Sequence, residues 1–335
     1  MHMILVTGGT GLLGSHILIE LTKSNKKIRA IYRSEERINS VKKLFQYYLG
    51  DYYIESWNKI EWVEADILDV ESLNLAFENV ELVYHAAGFV SFATRDFRNC
   101  IKINREGTSN IVNICLSRNI KKLGYVSSTA AIGGKEGILI NENCKWENTA
   151  LTSGYSVSKY SAEKEVWRGI EEGLNAVLIN PCVILGPGHW EETSLTIFKN
   201  VSRGMKYYPT GSNATVDARD VASCLVKLMN SDILNERFLC IGSNQSFREL
   251  ITEIAKQIKV KVPTNPINKK WLLLLMRILG PIYRLIGKKS PLNLDTIHSA
   301  YKNLAYDNSK IREVISHSFY SLSETVENSL KAGKF

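Results

Sequence analysis

No two cysteines in this chain are spaced as a redox or metal motif. The six, Cys100, Cys115, Cys144, Cys182, Cys224 and Cys240, include no Cys-x-x-Cys and no histidine at ligand spacing, so no metal site is expected. They read as small buried hydrophobes of a protein kept in a reducing compartment, hence cytoplasmic. No leader separates the N-terminus from residues 3–7, which already read as a strand, and no signal peptide is expected. No apolar run reaches the roughly 20 residues of a bilayer span. The longest, 271–287, is broken by Arg277, Gly280, Pro281 and Arg284. Internal repeats and low-complexity linkers are absent, as is any block of lysine and arginine. A net charge of +8 and a pI near 9.0 are spread along the chain. Such a spread argues against nucleic acid and for a mild positive field around an anionic ligand.

What is present is ordinary globular composition, 44% hydrophobic and 23% charged over 335 residues, enough for one large α/β unit and a smaller lobe. Near-continuous apolar runs at 3–7, 28–32, 60–65, 82–85, 123–127 and 176–180 read as strands buried on both faces. Helical patterns at 12–23, 108–118 and 153–170 alternate with them. The expected fold is α/β, a doubly wound parallel sheet of Rossmann type with a smaller, mostly helical C-terminal lobe. After Pro181 the pattern changes. A Gly/Pro corner at 185–188 leads to a helix at 194–204, a short strand feeding a helix at 215–222, and another strand at 237–241. From Phe247 onward the chain is mostly helical, divided by Pro263, Pro266, Pro281 and Pro291. The expected division is residues 1–181 plus about 214–242 for nucleotide binding, with about 182–213 and 243–335 as an interleaved substrate lobe.

Between the first strand and the first helix lies Thr7-Gly8-Gly9-Thr10-Gly11-Leu12-Leu13-Gly14. The spacing of Gly8, Gly11 and Gly14 suits a tight turn, room for a pyrophosphate and close helix–strand packing. The helix N-terminus adds amides and a partial positive charge; the bland alternative is a flexible turn. At the end of the second strand a carboxylate would suit the 2′-hydroxyl of NAD, and an arginine the 2′-phosphate of NADP. The chain has Tyr32-Arg33-Ser34 there, with no acid before Glu35. Arg33 therefore points to NADP, with NAD the alternative, unless it is merely an exposed arginine. Asp66 and Ile67 follow the third strand, where an adenine would lie. Ala86, Ala87 and Gly88 end the fourth strand with small residues; the adjacent His85 reads as structural.

Tyr155 and Lys159 stand at i and i+4, on one face of a helix. A free phenol titrates near pH 10, and bringing it to neutrality takes roughly 4 kcal/mol of differential stabilisation. A lysine ammonium beside it, with an oxidised nicotinamide, favours the phenolate. Tyr160/Lys164 and Tyr306/Lys310 repeat the spacing. Tyr160 lies roughly 140° around the helix from Tyr155, and Tyr306 is expected far away in the C-terminal lobe. Ser127, Ser128 and Thr129 end the fifth strand at the ligand-binding edge. A hydroxyl there can bond a substrate oxygen as charge develops, or merely cap the strand.

Taken in order over about residues 3–225, these motifs resemble the extended branch of the short-chain dehydrogenase/reductase superfamily, the NAD-dependent epimerase/dehydratase family. The tail, 306–312 followed by 322–325, is similar as well. The resemblance implies Tyr155 as acid/base, Lys159 on the nicotinamide ribose and Thr129 as the catalytic hydroxyl, with Ser128 the fallback. It implies Ser127 beside the cofactor, Asn104 as a structural helix residue, and Pro181-Cys182-Val183 beside the nicotinamide. Asn180-Pro181 departs from the Arg-Pro of sugar-nucleotide epimerases. With Arg33 it is more like the dihydroflavonol-reductase-like and 3β-hydroxysteroid-dehydrogenase-like members.

The expected activity is therefore reduction of a ketone, or oxidation of a secondary alcohol, in a small and fairly apolar molecule. The alternatives are a nucleotide-sugar epimerase or dehydratase, for which Glu142 could serve as a second acid, and a non-catalytic NADP-binding regulator. Phe89, Phe92, His189, Trp190 and Phe198 read as an aromatic pocket lining, or as core. The stretch 271–289 reads as a buried helix of the second lobe, a wall of an apolar pocket, or a peripheral membrane contact through Arg277, Arg284, Lys288 and Lys289. No transmembrane segment is expected, and a helical homodimer is expected only by analogy.

Overall fold

The computed structural model describes residues 3–149, 152–188, 193–285 and 294–331. The inner strands of its large sheet are short apolar runs with both faces covered, whereas the edge strand at Ile60–Glu64 is mostly half-buried or exposed. The strands are β1 (Met3–Thr7), β2 (Lys27–Tyr32), β3 (Ile60–Glu64), β4 (Val80–His85), β5 (Lys122–Val126), β6 (Ala176–Pro181), and, past two strands of a smaller sheet, β9 (Glu236–Cys240). The smaller sheet holds β7 (Val183–Leu185), β8 (Ser212–Asp217) and β10 (Ser243–Ser246).

The seven strands of the large sheet pair in the order β9-β6-β5-β4-β1-β2-β3, all parallel. Chain order therefore reverses between β1 and β4. That reversal opens a crevice at the carboxyl ends of the strands, beyond Thr7 and His85.

Successive side chains of a strand point to opposite faces. In β1, Ile4 and Val6 join one core and Leu5 the other. The first core packs α1 (Leu12–Thr22), through Ile17 and Leu18, and α2 (Glu36–Leu49), through Leu44 and Phe45. The second takes α3 (Val70–Ala76), α4 (Gly107–Ser117) and α5 (Gly154–Glu171). Burying each such aliphatic side chain contributes about 1.5–3 kcal/mol. α6 (Ala218–Met229) closes the first face through Val221 and Leu225. A third core joins Phe198, α7 (Phe247–Gln257) and Val326 in the smaller lobe.

Two parts of the C-terminal region differ from expectation. Tyr306, expected in the far C-terminal lobe, packs on the first core instead: Ala305 and Tyr306 pair in parallel with Leu139 and Ile140 in a small separate sheet, and Tyr306 and Ile311 belong to that core. The Asn244 side chain clamps the Tyr306 backbone, its Nδ2 donating to the carbonyl at 2.9 Å and its Oδ1 accepting from the amide at 2.9 Å. The other is α8 (Lys269–Leu285), which is not the buried helix one reading anticipated: none of its described side chains is buried.

Candidate functional site

The glycine turn occupies the crevice. Gly8 has φ +69°, which a side chain disfavours, and a Cβ there would sit 2.6 Å from the Ala87 amide nitrogen. A Cβ on Gly14 would lie 1.9 Å from the Gly8 carbonyl oxygen, so the helix start packs directly on the turn. The Gly11 N–H donates to that same carbonyl at 2.9 Å. Gly11 caps α1 with no side-chain bond, and no acid occupies the first turn. The first-turn amides thus form a cradle without a carboxylate, which fits a pyrophosphate. Leu13 is buried in the core, so only its amide can serve there. Leu12 packs against the third core, and Thr10 lies within the turn.

Across the crevice, Thr7 Oγ1 and His85 Nδ1 are 2.6 Å apart, and His85 Nε2 lies 3.0 Å from Thr108 Oγ1. The imidazole is fully buried, and burial, with the Lys159 charge, pulls its pKa down to about 3. It is a neutral bridge between two hydroxyls and no base. Thr7 Oγ1 also accepts from the Ala87 N–H, which holds Ala86, Ala87 and Gly88 against the glycine turn. At the crevice rim Arg33, 66% exposed, lies 3.8 Å from Asp66. The Ile67 side chain is buried beneath Gly107.

Ser153 caps α5 by accepting from the Ser156 N–H, which puts Tyr155 in the first turn. The inward stripe of that helix, Ser158, Lys159, Ala162, Glu163 and Val166, follows at helical spacing. Tyr155 is packed edge-on to Phe92 with ring centroids 5.3 Å apart, and its hydroxyl faces Ser128. Burial raises its pKa to about 12, offset in part by that polar neighbour. The expected lysine contact is missing. Lys159 Nζ instead donates to the Val126 carbonyl at 2.9 Å and the Tyr125 hydroxyl at 3.2 Å. Burial lowers Lys159 to about 8, against the attraction of Glu163.

The three hydroxyls at the end of β5 therefore have three different partners. Ser127 Oγ donates to Glu163 at 2.5 Å, behind the site. Ser128 meets Tyr155. Thr129 faces Tyr306, whose pKa burial raises to about 12. Tyr160, by contrast, stacks on Trp146 at 4.1 Å, away from the crevice, as its helical angle predicts.

A buried network backs the strand end. Glu163 accepts from Asn180 Nδ2 at 2.7 Å and pairs with Arg237 at 3.1 Å, and Asn180 also donates to the Ser128 carbonyl at 3.0 Å. Neither Glu163 nor Arg237 was singled out in the sequence; they lie on different elements and share no motif. Glu142 is tied down as well, its carboxylate accepting from the Leu239 N–H at 2.8 Å. Pro181 ends β6, buried Cys182 follows it, and Val183 opens β7.

On the substrate side, Asn104 fastens the loop after β4. It accepts from the Phe89 N–H at 2.7 Å and donates to Ser158 Oγ at 2.9 Å. Phe92 is exposed beside Tyr155, but Phe198 is fully buried in the third core and lines no pocket. His189 and Trp190 lie outside the described residues. Among the described residues no cluster of acids, histidines and cysteines could hold a metal, and no helix is long and apolar enough to cross a membrane.

The chain is similar to known proteins in sequence and in fold. Residues 4–241 match the model of the family described as NAD dependent epimerase/dehydratase. An anthocyanidin reductase of Arabidopsis thaliana is 28% identical over 273 residues, covering 73% of this chain and 77% of its own. Two solved structures share the fold over 98% of the chain. A yeast methylglyoxal/isovaleraldehyde reductase complexed with NADPH has a TM-score of 0.74 at 17% identity, with 97% of its chain covered. A UDP-glucuronic acid 4-epimerase of Bacillus cereus complexed with NAD has 0.73 at 17%, with 98% covered.

Proposed function

The chain belongs to the NAD dependent epimerase/dehydratase family and is an oxidoreductase of the extended short-chain type, and on that premise we propose that it uses NADP to reduce a ketone, or oxidise a secondary alcohol, of a small and fairly apolar molecule. The observation that carries this reading is the Tyr155 hydroxyl facing Ser128 at the carboxyl edge of the sheet, with Lys159 one turn further along α5.

When bound, the nicotinamide supplies or accepts the hydride. The free first-turn amides of Leu12, Leu13 and Gly14 would hold its pyrophosphate, with Thr10 and Gly11 in the same turn. Ala86, Ala87, Gly88 and Pro181-Cys182-Val183 flank the crevice, and Asp66 and Ile67 lie on the adenosine side. Arg33, freed from its long contact to Asp66, takes the 2′-phosphate that distinguishes NADP.

A phenol with a pKa raised to about 12 is protonated at neutral pH. Tyr155 is thereby fitted to donate a proton to a carbonyl oxygen as negative charge builds there. Ser128 bonds the same oxygen; Thr129, engaged by Tyr306, sits beside it. Lys159, near pKa 8, keeps most of its charge at neutral pH and adds positive potential beneath the site. The Asn180–Glu163–Arg237 network fixes the strand end on which Ser128 rides.

The epimerase alternative needs a second acid, and its candidate, Glu142, is spent on the Leu239 amide. The apolar character of the substrate rests on Phe89 and Phe92 at the mouth. The decisive experiment is calorimetric titration with NADPH and NADH, followed by a carbonyl screen. Tyr155→Phe should lower turnover by about 10²–10⁴-fold with NADPH affinity unchanged. Full turnover by that variant would sink the mechanism.

A further inference from the structure

The most unusual surface of the molecule is the outer face of α8. Trp271, Leu274, Leu275 and Ile278 are 63%, 46%, 40% and 53% exposed. At ~100° per residue these four positions fall within an arc of roughly 100°. A soluble helix turns such a stripe inward; this one turns it outward and buries no described side chain. The opposite face, with Leu272, Met276 and Leu279, is only half-buried.

The charges around the stripe are of one sign. Residues 269–289 contain six cations, Lys269, Lys270, Arg277, Arg284, Lys288 and Lys289, and no acid. Lys270 and Arg277 fall together on one flank of the stripe by the same helical count. Elsewhere the cations are diluted by acids, 36 against 34 in the rest of the chain.

We propose that α8 is a membrane-surface anchor that lies in the headgroup layer of an anionic bilayer, with Trp271, Leu274, Leu275 and Ile278 inserted and the flanking cations on lipid phosphates. The chemistry matches both layers of that surface: an aromatic and aliphatic stripe for the acyl boundary, and uncompensated cations for the headgroups. A second copy packed stripe to stripe would bring the cations of both helices together and meets the surface less well. The helix is too short and too interrupted to span.

The position of α8 gives the anchor a consequence. It packs against the helix Leu294–Ala300, and the Asp295 carboxylate of that helix faces the backbone of Gly154, one residue before Tyr155. The anchor would therefore hold the mouth of the site against the bilayer, where apolar substrates partition. That consequence rests on the reductase reading above, whereas the docking itself does not.

The test is co-sedimentation of the full chain with phosphatidylcholine vesicles, with and without about a third of phosphatidylglycerol, at low and high salt. Binding to the anionic vesicles is expected, at least ~10-fold weaker on neutral ones and weakened by salt. Two variants on this exposed face are expected to abolish it, Trp271→Ser/Leu274→Ser/Ile278→Ser and Lys270→Glu/Arg277→Glu. Both should keep their melting temperature and NADPH affinity. Absence of vesicle binding by the unaltered chain, or undiminished binding by both variants, overturns the proposal. So does a dimer that the stripe variant turns into a monomer, which would assign the stripe to a second copy. Reduction of a water-soluble carbonyl without vesicles is measured in parallel; its absence would count against the catalytic reading alone.

Discussion

The Tyr306 hydroxyl faces Thr129, setting the third hydroxyl of the β5 end beside the returning C-terminal strand while Ser128 faces Tyr155. The two neighbouring hydroxyls should therefore differ in kinetic weight. Ser128→Ala is expected to lower kcat by about 10²–10³-fold, the cost of removing one donor from a developing oxyanion. Thr129→Val should cost less than about 10-fold, and Tyr306→Phe should free Thr129 and change KM more than kcat. Steady-state kinetics of the three variants on one ketone decide the assignment; a larger loss from Thr129→Val would reverse it.

Gly8→Ala places a methyl group 2.6 Å from the Ala87 amide at a backbone angle of +69°. The strain is of order 1–3 kcal/mol, and relief requires the turn to move off β4. NADPH affinity should fall by at least ~10-fold, a factor that corresponds to about 1.4 kcal/mol, with the fold retained by circular dichroism. Unchanged affinity would mean that the turn does not cradle the cofactor.

Arg33 is exposed and held only by a long ion pair with Asp66, so its replacement should leave stability within about 0.5 kcal/mol. Arg33→Ala is expected to weaken NADPH by about 10–100-fold, the range of one charge-assisted phosphate contact, and to leave NADH unchanged. Titration calorimetry with both nucleotides reads this directly. Equal losses for the two would remove Arg33 from 2′-phosphate recognition.

Two histidines set opposite limbs of the stability profile. His85, held neutral with its pKa near 3 in the folded chain against 6.5 unfolded, makes the unfolded state bind more protons at low pH. Stability therefore drops as pH falls below 6.5, steadily down to about 3. His317 donates to Asp220 at 2.8 Å, and its bonds to Asp220 and Cys224 raise it to about 9. Burial pushes the Asp220 carboxyl up, and the His317 bond and the Tyr320 N–H, donating at 3.0 Å, work against that rise. The stabilisation from His317 is complete below 6.5 and is lost as pH rises through 9. Melting temperatures across this range should peak near the middle, and His317→Gln should flatten the alkaline limb only.

Much of the cofactor crevice was legible in the residues. Uninterrupted apolar strands announce a sheet covered on both faces. A glycine at every third position after the first of them suits a tight turn packed on a helix start, which the close approach of Gly14 to Gly8 bears out. The Tyr155–Lys159 spacing is a property of the helix itself, and so is the divergence of Tyr160.

Contacts between distant segments were not legible. Lys159 turns to Val126 and Tyr125 because β5 lies under α5, and Ser127 is spent on Glu163 for the same reason. Glu163 and Arg237 find each other only when β9 is laid beside β6. Tyr306 has the same Tyr-x-x-x-Lys spacing as Tyr155, yet its place beside Thr129 depends on the chain returning to pair with Leu139 and Ile140. Phe198 and α8 make the point from opposite sides, since hydrophobicity alone cannot tell a core side chain from one on an outer surface. Local sequence determined the elements, the turn and the helical faces, because those follow from neighbours a few residues apart. Which hydroxyl meets Tyr155, and which apolar stripe stays uncovered, was decided only by tertiary packing, because both depend on segments brought together across the whole chain.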